Sequence, residues 1–290
     1  MRGSRLRFFS NDSDYESLVF DPMEEIRSSR DPIKFLETLL KALGVVYQQG
    51  YGPDFFTGEQ RTQLMEILFD HRPTTFQDLI SLIRNATRGP KGNKDARGLY
   101  SAMATLGKAS HIHSGRRLTD REQLIDLQRF YHEREVLYVH LNTESLQLLS
   151  RDIGRLLLYS LMAVAERRAK AGEQRVQAYV AIDEFHTIAA GNIVDMLNQA
   201  RSIGVSFFLA HQTSSALKTK DRDLYGTLFE NCHFKQWLTL EDPRVADLIT
   251  LIAARKREIR RGGATANSTG TAERERKAGR SGLASATQVF

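Results

Sequence analysis

The chain has one cysteine, Cys232, which excludes an internal disulfide framework and fits a reducing compartment. Its setting beside a strand-like run makes it a small buried hydrophobe rather than a nucleophile. No apolar run approaches the roughly 20 residues of a membrane-spanning helix, and no secretory signal pattern is present. His111 and His113 lie two apart without a nearby cysteine or acidic pair, so they do not make a metal site. Net charge is also missing from most of the chain. The formal +6 is supplied from Arg255 onward, where nine Lys/Arg face three Asp/Glu, and the body is neutral. What remains is 290 residues with 41% hydrophobic content, enough for a substantial core and two domains.

Two apolar runs end in polar residues. Ala178-Tyr-Val-Ala-Ile182 stops at Asp183-Glu184, and Val205-Ser-Phe-Phe-Leu-Ala210 stops at His211-Gln212. Short continuous apolar runs of this kind predict strands covered on both faces of a parallel sheet, and ligands bind at the carboxyl edge of such sheets. Ile193, Met196, Leu197, Ala200 and Ile203 recur at helical spacing between the runs, with Gly204 as the stop. An Asp-Glu pair in that position matches the Walker B arrangement of P-loop ATPases, where Asp helps hold the Mg²⁺ shell and Glu orients the attacking water. The plainer alternative is a pair of acids capping the next helix.

The stretches Ile182-Asp-Glu-Phe-His186, Gln199-Ala-Arg-Ser-Ile-Gly-Val205 and Leu209-Ala-His-Gln212, continuing through Asn231-Cys-His-Phe-Lys235 and Asp242-Pro-Arg-Val-Ala246, resemble the C-terminal half of the motor domain of type IV coupling proteins. These are TraG/TraD-type ATPases of conjugation and type IV secretion, relatives of the FtsK/HerA translocases. The resemblance covers roughly residues 136 to 255. It implies an α/β fold with a partial RecA-like parallel sheet flanked by helices, ATP and Mg²⁺ as cofactors, and a homo-hexamer. The implied partners are DNA, a relaxase or relaxosome, and the secretion channel. The resemblance makes Asp183 the metal-associated acid, acting on Mg²⁺ indirectly, Glu184 the residue that prepares water, and Gln212 the γ-phosphate sensor. It makes Arg201 an arginine offered to a neighbouring subunit's nucleotide. Arg201 reads equally as a solvated cation at a helix C-terminus.

A phosphate cradle is absent. No G-x-x-x-x-G-K-[ST] stretch exists, and Gly89-Pro-Lys-Gly-Asn-Lys94 and Gly107-Lys-Ala-Ser110 fail on spacing. The expectation is a segment that begins after the P-loop helix and is inactive alone, although the complete product is a P-loop ATPase. Met1-Arg-Gly-Ser4 is compatible with an expression leader or an internal start. Coupling proteins commonly carry N-terminal membrane helices, and the implied location is cytoplasmic, at the inner face of the inner membrane. Two alternatives stay open: a non-hydrolysing module that binds DNA or relaxase, and a HerA/FtsK-like DNA-processing translocase.

The expected organisation runs as follows. Residues 1–14 are leader or linker. Residues 15–30 hold a first strand, Leu18-Val-Phe20, ending at Asp21-Pro22. Residues 31–135 form an inserted all-α domain, with helices opened by Asp31-Pro32, by the capping-box pattern Thr57-Gly-Glu-Gln60, by Thr75 and near Asp95. In the resembled family such domains contact DNA or substrate; leucine spacing by itself shows only packing. Its polar stretch Arg88 to Arg97 reads as a solvated connector or a phosphate-touching loop. Residues 136–255 return to α/β, with a strand at Val136 to Leu141, a long helix striped by Leu146, Leu149, Ile153, Leu156, Leu157, Leu161 and Val164, and a stop at Gly172. That helix is expected to cross the sheet right-handedly and set the Asp183 strand parallel to the Val136 strand. A fourth strand near Phe234 to Leu238 and a helix over 244–254 close the domain. Residues 256–290 read as a disordered basic tail, either a phosphate-gripping arm or simply solvated.

Overall fold

The computed structural model describes residues 5–24, 32–42, 64–88, 96–113, 115, 123–173, 176–189, 191–213, 217, 224–237, 246, 247, 250, 288 and 289. Its class is α/β: helices pack against short, mainly parallel strands. No described helix is long and apolar enough to cross a membrane.

Strand β1 (Leu6–Ser10) corrects the reading of residues 1–14 as leader or linker. It pairs in parallel, five residues in register, with β2 (Val136–His140). The physical anchor is Phe9, which is fully buried, together with a closed polar network at the carboxyl ends of the two strands. There the Asn11 amide donates to Ser150 Oγ at 2.8 Å, the Asn142 N–H donates to Asn11 Oδ1 at 2.8 Å, and Ser150 Oγ donates to the Asn142 carbonyl at 2.6 Å. The expected strand at 15–22 is not a strand. Val19 and Phe20 form single parallel bridges to Leu124 and Ile112, stitched between two loops, and Asp21 turns back to accept the Met23 N–H at 2.8 Å.

The helices expected between 31 and 135 that fall on described residues are present. They are α1 (Pro32–Ala42), a π-helical turn (Ile67–His71), α2 (Phe76–Ala86) and α3 (Ala96–Leu106); a further helix outside the expected set, α4 (Leu127–Glu133), follows. Thr75 caps α2 in a full capping box with Asp78. The caps read at Asp31 and Thr57 lie outside the described residues, as does the centre of the polar stretch after Arg88. The long helix α5 (Gln147–Lys170) is buried continuously from Ile153 to Ser160, the burial of a helix packed on several sides. Helix α1 lies along it, with α3 and α4 also touching it. Gly172, with φ of 68°, ends the connection in the left-handed region.

After α5 come β3 (Ala178–Ile182), a 3₁₀ turn (Phe185–Thr187), α6 (Gly191–Ala200), a second 3₁₀ turn (Arg201–Ile203), β4 (Val205–His211), α7 (Leu224–Asn231) and β5 (Gln236–Trp237). Strands β3 and β4 are parallel, with Ile182 opposite Leu209. Three expectations change here. First, β2 pairs with β1 and not with β3, so α5 links two hydrogen-bonded sheets rather than two strands of one. Second, the fourth strand is only two residues long and antiparallel to β6 (Gln288–Val289), which lies between β4 and β5. The last residues of the supposed disordered tail are thus paired, and the remainder of 256–290 lies outside the described residues, as does most of the helix read at 244–254. Third, the sheets are covered on one face only among the described residues. Tyr138, Tyr179 and Phe208 are 56%, 70% and 52% exposed, while Val205, Leu209 and His211 turn inward on alternate positions. A continuous apolar run records two apolar faces, not two covered ones.

Candidate functional site

The site grows out of the end of β3. Asp183 is exposed, and its Oδ1 accepts the Glu184 N–H at 2.9 Å. This local bond accompanies a sharp turn in which Glu184 takes φ of 49° and ψ of 42°, a left-handed geometry disfavoured for a residue with a side chain. Phe185, at 1% exposure, plugs into the core directly behind the turn. Glu184 is thereby held with its carboxylate over the carboxyl edge of β4. There Gln212 Nε2 donates to Glu184 Oε1 at 2.6 Å. Adjacent parallel strands thus bring Asp183, Glu184 and Gln212 together, as the sequence pattern predicts.

Arg201 is not part of this cluster. It follows α6 in the turn that returns the chain to the start of β4, where Gly204 accepts the Ala178 N–H at the opening of β3. The whole of β4 separates it from Gln212, about 20 Å at the strand rise per residue. Arg201 is exposed, and within one chain it cannot reach the carboxylates.

Three residues outside the expected set shape the site. His186 Nδ1 lies 3.2 Å from Glu184 Oε2. His211, 1% exposed, sits beneath the carboxylate. Its Nδ1–H donates to the Thr213 carbonyl at 3.1 Å, and burial holds its pKa below the usual imidazole value, aided by His186 and opposed by that hydrogen bond and by Glu184. The floor is therefore neutral at physiological pH. Arg155 of α5 is buried at 6% exposure and donates through Nε to the Ile188 carbonyl and through a terminal nitrogen to Ala189, both at 2.8 Å. Burial brings its pKa down to about 10, far above the range where it would lose its proton. Beside it, a Cβ on Gly154 would stand 3.2 Å from the Ile188 side chain, so the helix and the loop after Glu184 are in close contact. The sequence signal for Arg155 is a lone cation inside the apolar run from Ile153 to Leu158.

Arg155→Leu removes the donors of the buried Ile188 carbonyl and the partly buried Ala189 carbonyl, and a buried acceptor left unpaired costs about 1–3 kcal/mol. A loss of about 3 kcal/mol on that basis is expected in urea unfolding. The loop carrying Glu184 and His186 is expected to exchange its amide hydrogens faster. Unchanged loop protection would show that Arg155 does not tether the turn.

Cys232 is half-buried and packs on the core, and burial pushes its thiol pKa up, the inert condition expected of it. No cluster of three or more metal-binding side chains occurs among the described residues.

Comparison with curated proteins gives no match. Solved structures that resemble the chain include the bacterial conjugative coupling protein TrwBdeltaN70 in an unbound monoclinic form, at 13% identity and TM-score 0.46, covering 82% of this chain, and the plasmid coupling protein TrwB in complex with the non-hydrolysable ATP analogue ADPNP, at 12% identity and TM-score 0.49, covering 79%. The chain spans 62% of the length of each. Residues 177–285 match the family described as the TraM recognition site of TraD and TraG. That segment contains Asp183, Glu184, Arg201 and Gln212, so the whole set of expected site residues lies within the matched residues.

Proposed function

We propose that this chain supplies the Walker B acids and the sensor glutamine of an ATP-driven, DNA-translocating coupling protein of conjugation or type IV secretion, built on a RecA-like sheet. One observation carries the reading: the 2.6 Å bond between Gln212 and Glu184 at the shared carboxyl edge of β3 and β4. Glu184 prepares the attacking water, Gln212 reports on the γ-phosphate, and Arg201 serves the nucleotide of a neighbouring subunit in a homo-hexameric ring. Asp183 fits a Mg²⁺ role by chemistry, since it offers an exposed hard carboxylate beside the base, and Mg²⁺ is held by one or two carboxylates plus phosphates and water. When bound, Mg²⁺ neutralises charge on the transferring phosphoryl group. The match to a TraM recognition segment supports a relaxosome-type partner at residues 177–285, which suits delivery of DNA with its relaxase to a secretion channel at the cytoplasmic face of the membrane.

The missing phosphate loop favours a second reading for residues 1–290 by themselves, that of a binding module for DNA or relaxase without hydrolysis. ATPase and DNA-binding assays on the 290-residue chain, alone and joined to a P-loop-bearing motor segment, separate the two. Turnover only in the joined protein is expected. Binding of DNA or relaxase by both with hydrolysis by neither would leave the binding module and remove the motor.

A further inference from the structure

Strand β4 has the burial of an interior strand. Val205, Leu209 and His211 are buried on its inner face, and β3 fills one of its edges from Val205 to Leu209. Among the described strands, its other edge is used only at the last two residues: Ala210 pairs with Val289 and His211 with Gln288, antiparallel. On the far side of β6, Val289 pairs with Gln236 and Gln288 with Trp237 of β5. Strands β4 and β5 are therefore held two ladder spacings apart, about 10 Å, which makes a gap one strand wide. It opens beside His211, one residue before the Gln212 that donates to Glu184.

The occupant fills the gap only at one end. Each ladder of β6 is two residues long, whereas the ladder between β3 and β4 is five. From Val205 to Leu209 this edge of β4 has no strand partner among the described residues, and such an edge is a template for another extended segment. A phosphate loop follows the carboxyl end of a strand and precedes a helix. To set that loop beside Gln212, its strand has to run parallel to β4 and next to it, and β3 already holds the opposite edge. The position left is the gap, where Gln288–Val289 stand.

We infer that Gln288–Val289 form a displaceable plug, an autoinhibitory contact in a slot that accepts a longer parallel strand carrying a phosphate loop. The inference rests on the reading of Glu184 and Gln212 as parts of a nucleotide site. With β6 in place, the position beside Gln212 is held by an antiparallel segment that brings no phosphate loop. With β6 out, β4 offers an edge seven residues long, from Val205 to His211. Eviction therefore exchanges two short ladders for longer ones.

The first test uses the 290-residue chain and amide hydrogen exchange. One variant deletes residues 283–290; the other, Val289→Pro, removes a backbone N–H from a strand paired on both edges. Each is expected to lower protection at Ala210–His211 and Gln236–Trp237 about tenfold, the protection given by a partner in place nine-tenths of the time, and to leave β3 unchanged. A synthetic peptide of residues 283–290 is expected to bind the shortened chain and restore that protection. It is expected to bind the intact chain about tenfold more weakly, as for a slot open a tenth of the time. Unchanged protection on deletion, or equal binding of the peptide by both chains, overturns the plug. The second test uses the ATP-hydrolysing joined protein. The deletion and Val289→Pro are each expected to tighten binding of a fluorescent ATP analogue about tenfold, and Val289→Ile, which keeps the N–H, to leave it unchanged. Affinity unchanged or weakened by the deletion overturns the proposal. Glu184→Gln separates the two readings: if turnover survives it, the assignment of the site has failed, whereas if turnover is lost but the deletion leaves nucleotide affinity unchanged, only the plug has failed.

Discussion

Glu184→Gln in the ATP-hydrolysing protein is expected to reduce kcat by about 10²–10⁴-fold, the usual contribution of a positioned base, while nucleotide stays bound. The substitution is close to isosteric. A glutamine carbonyl can still accept the Gln212 amide at the place of Oε1, and the backbone turn at Glu184 is set by Asp183 and Phe185 rather than by the carboxylate. What disappears is the negative charge and the basic lone pair that the proposed role requires. The proposed role gives Glu184 no contact with the nucleotide, so affinity for nucleotide has no reason to fall. Equilibrium binding of a fluorescent ATP analogue beside steady-state turnover makes the measurement. Parallel loss of binding and turnover would mean that Glu184 holds the turn together or contacts the nucleotide directly, and the water-preparing role would be lost with it.

The legibility of this site in the sequence has a simple physical origin. A strand in a parallel sheet is written as an apolar run, and the run stops where the chain leaves the sheet, so the polar residues just after it mark the carboxyl edge. Asp183, Glu184 and Gln212 were readable for that reason. Strand β1 was hidden because Leu6-Arg7-Phe8-Phe9 is broken by an arginine, yet Arg7 is itself 7% exposed and Phe9 fully buried. A charge in a short run argues for solvent until a partner is known. Strands β5 and β6, at two residues each, have no period to detect. Pairing between β1 and β2 spans more than a hundred residues of sequence, and local pattern does not record which strand a given edge selects. The Arg155 tether depends on backbone carbonyls, which every residue has, so sequence identity could mark the cation but not its acceptors.

Arg201→Ala is expected to remove about 10³-fold or more of the turnover of an assembled ring, the scale of an arginine finger, and to leave nucleotide binding by a single subunit unchanged. The structure narrows the choice. Arg201 lies at the opening end of β4 and the carboxylates lie at its far end, so any service to a nucleotide must cross to another subunit. A guanidinium acting there would offset charge that grows on the phosphoryl group in the transition state. If Arg201 instead only complements the dipole at the end of α6, its loss is felt weakly and in stability alone. Mixing separates these outcomes. Subunits carrying Arg201→Ala keep Glu184, and subunits carrying Glu184→Gln keep Arg201. Each type is inactive by itself, but a mixed ring contains interfaces where an intact Glu184 meets an intact Arg201. Recovery of turnover on mixing, rising with the fraction of such interfaces, is the signature of action in trans. Mixed rings as inactive as either parent, or an Arg201→Ala ring that turns over normally, would return Arg201 to the status of a helix-terminal cation.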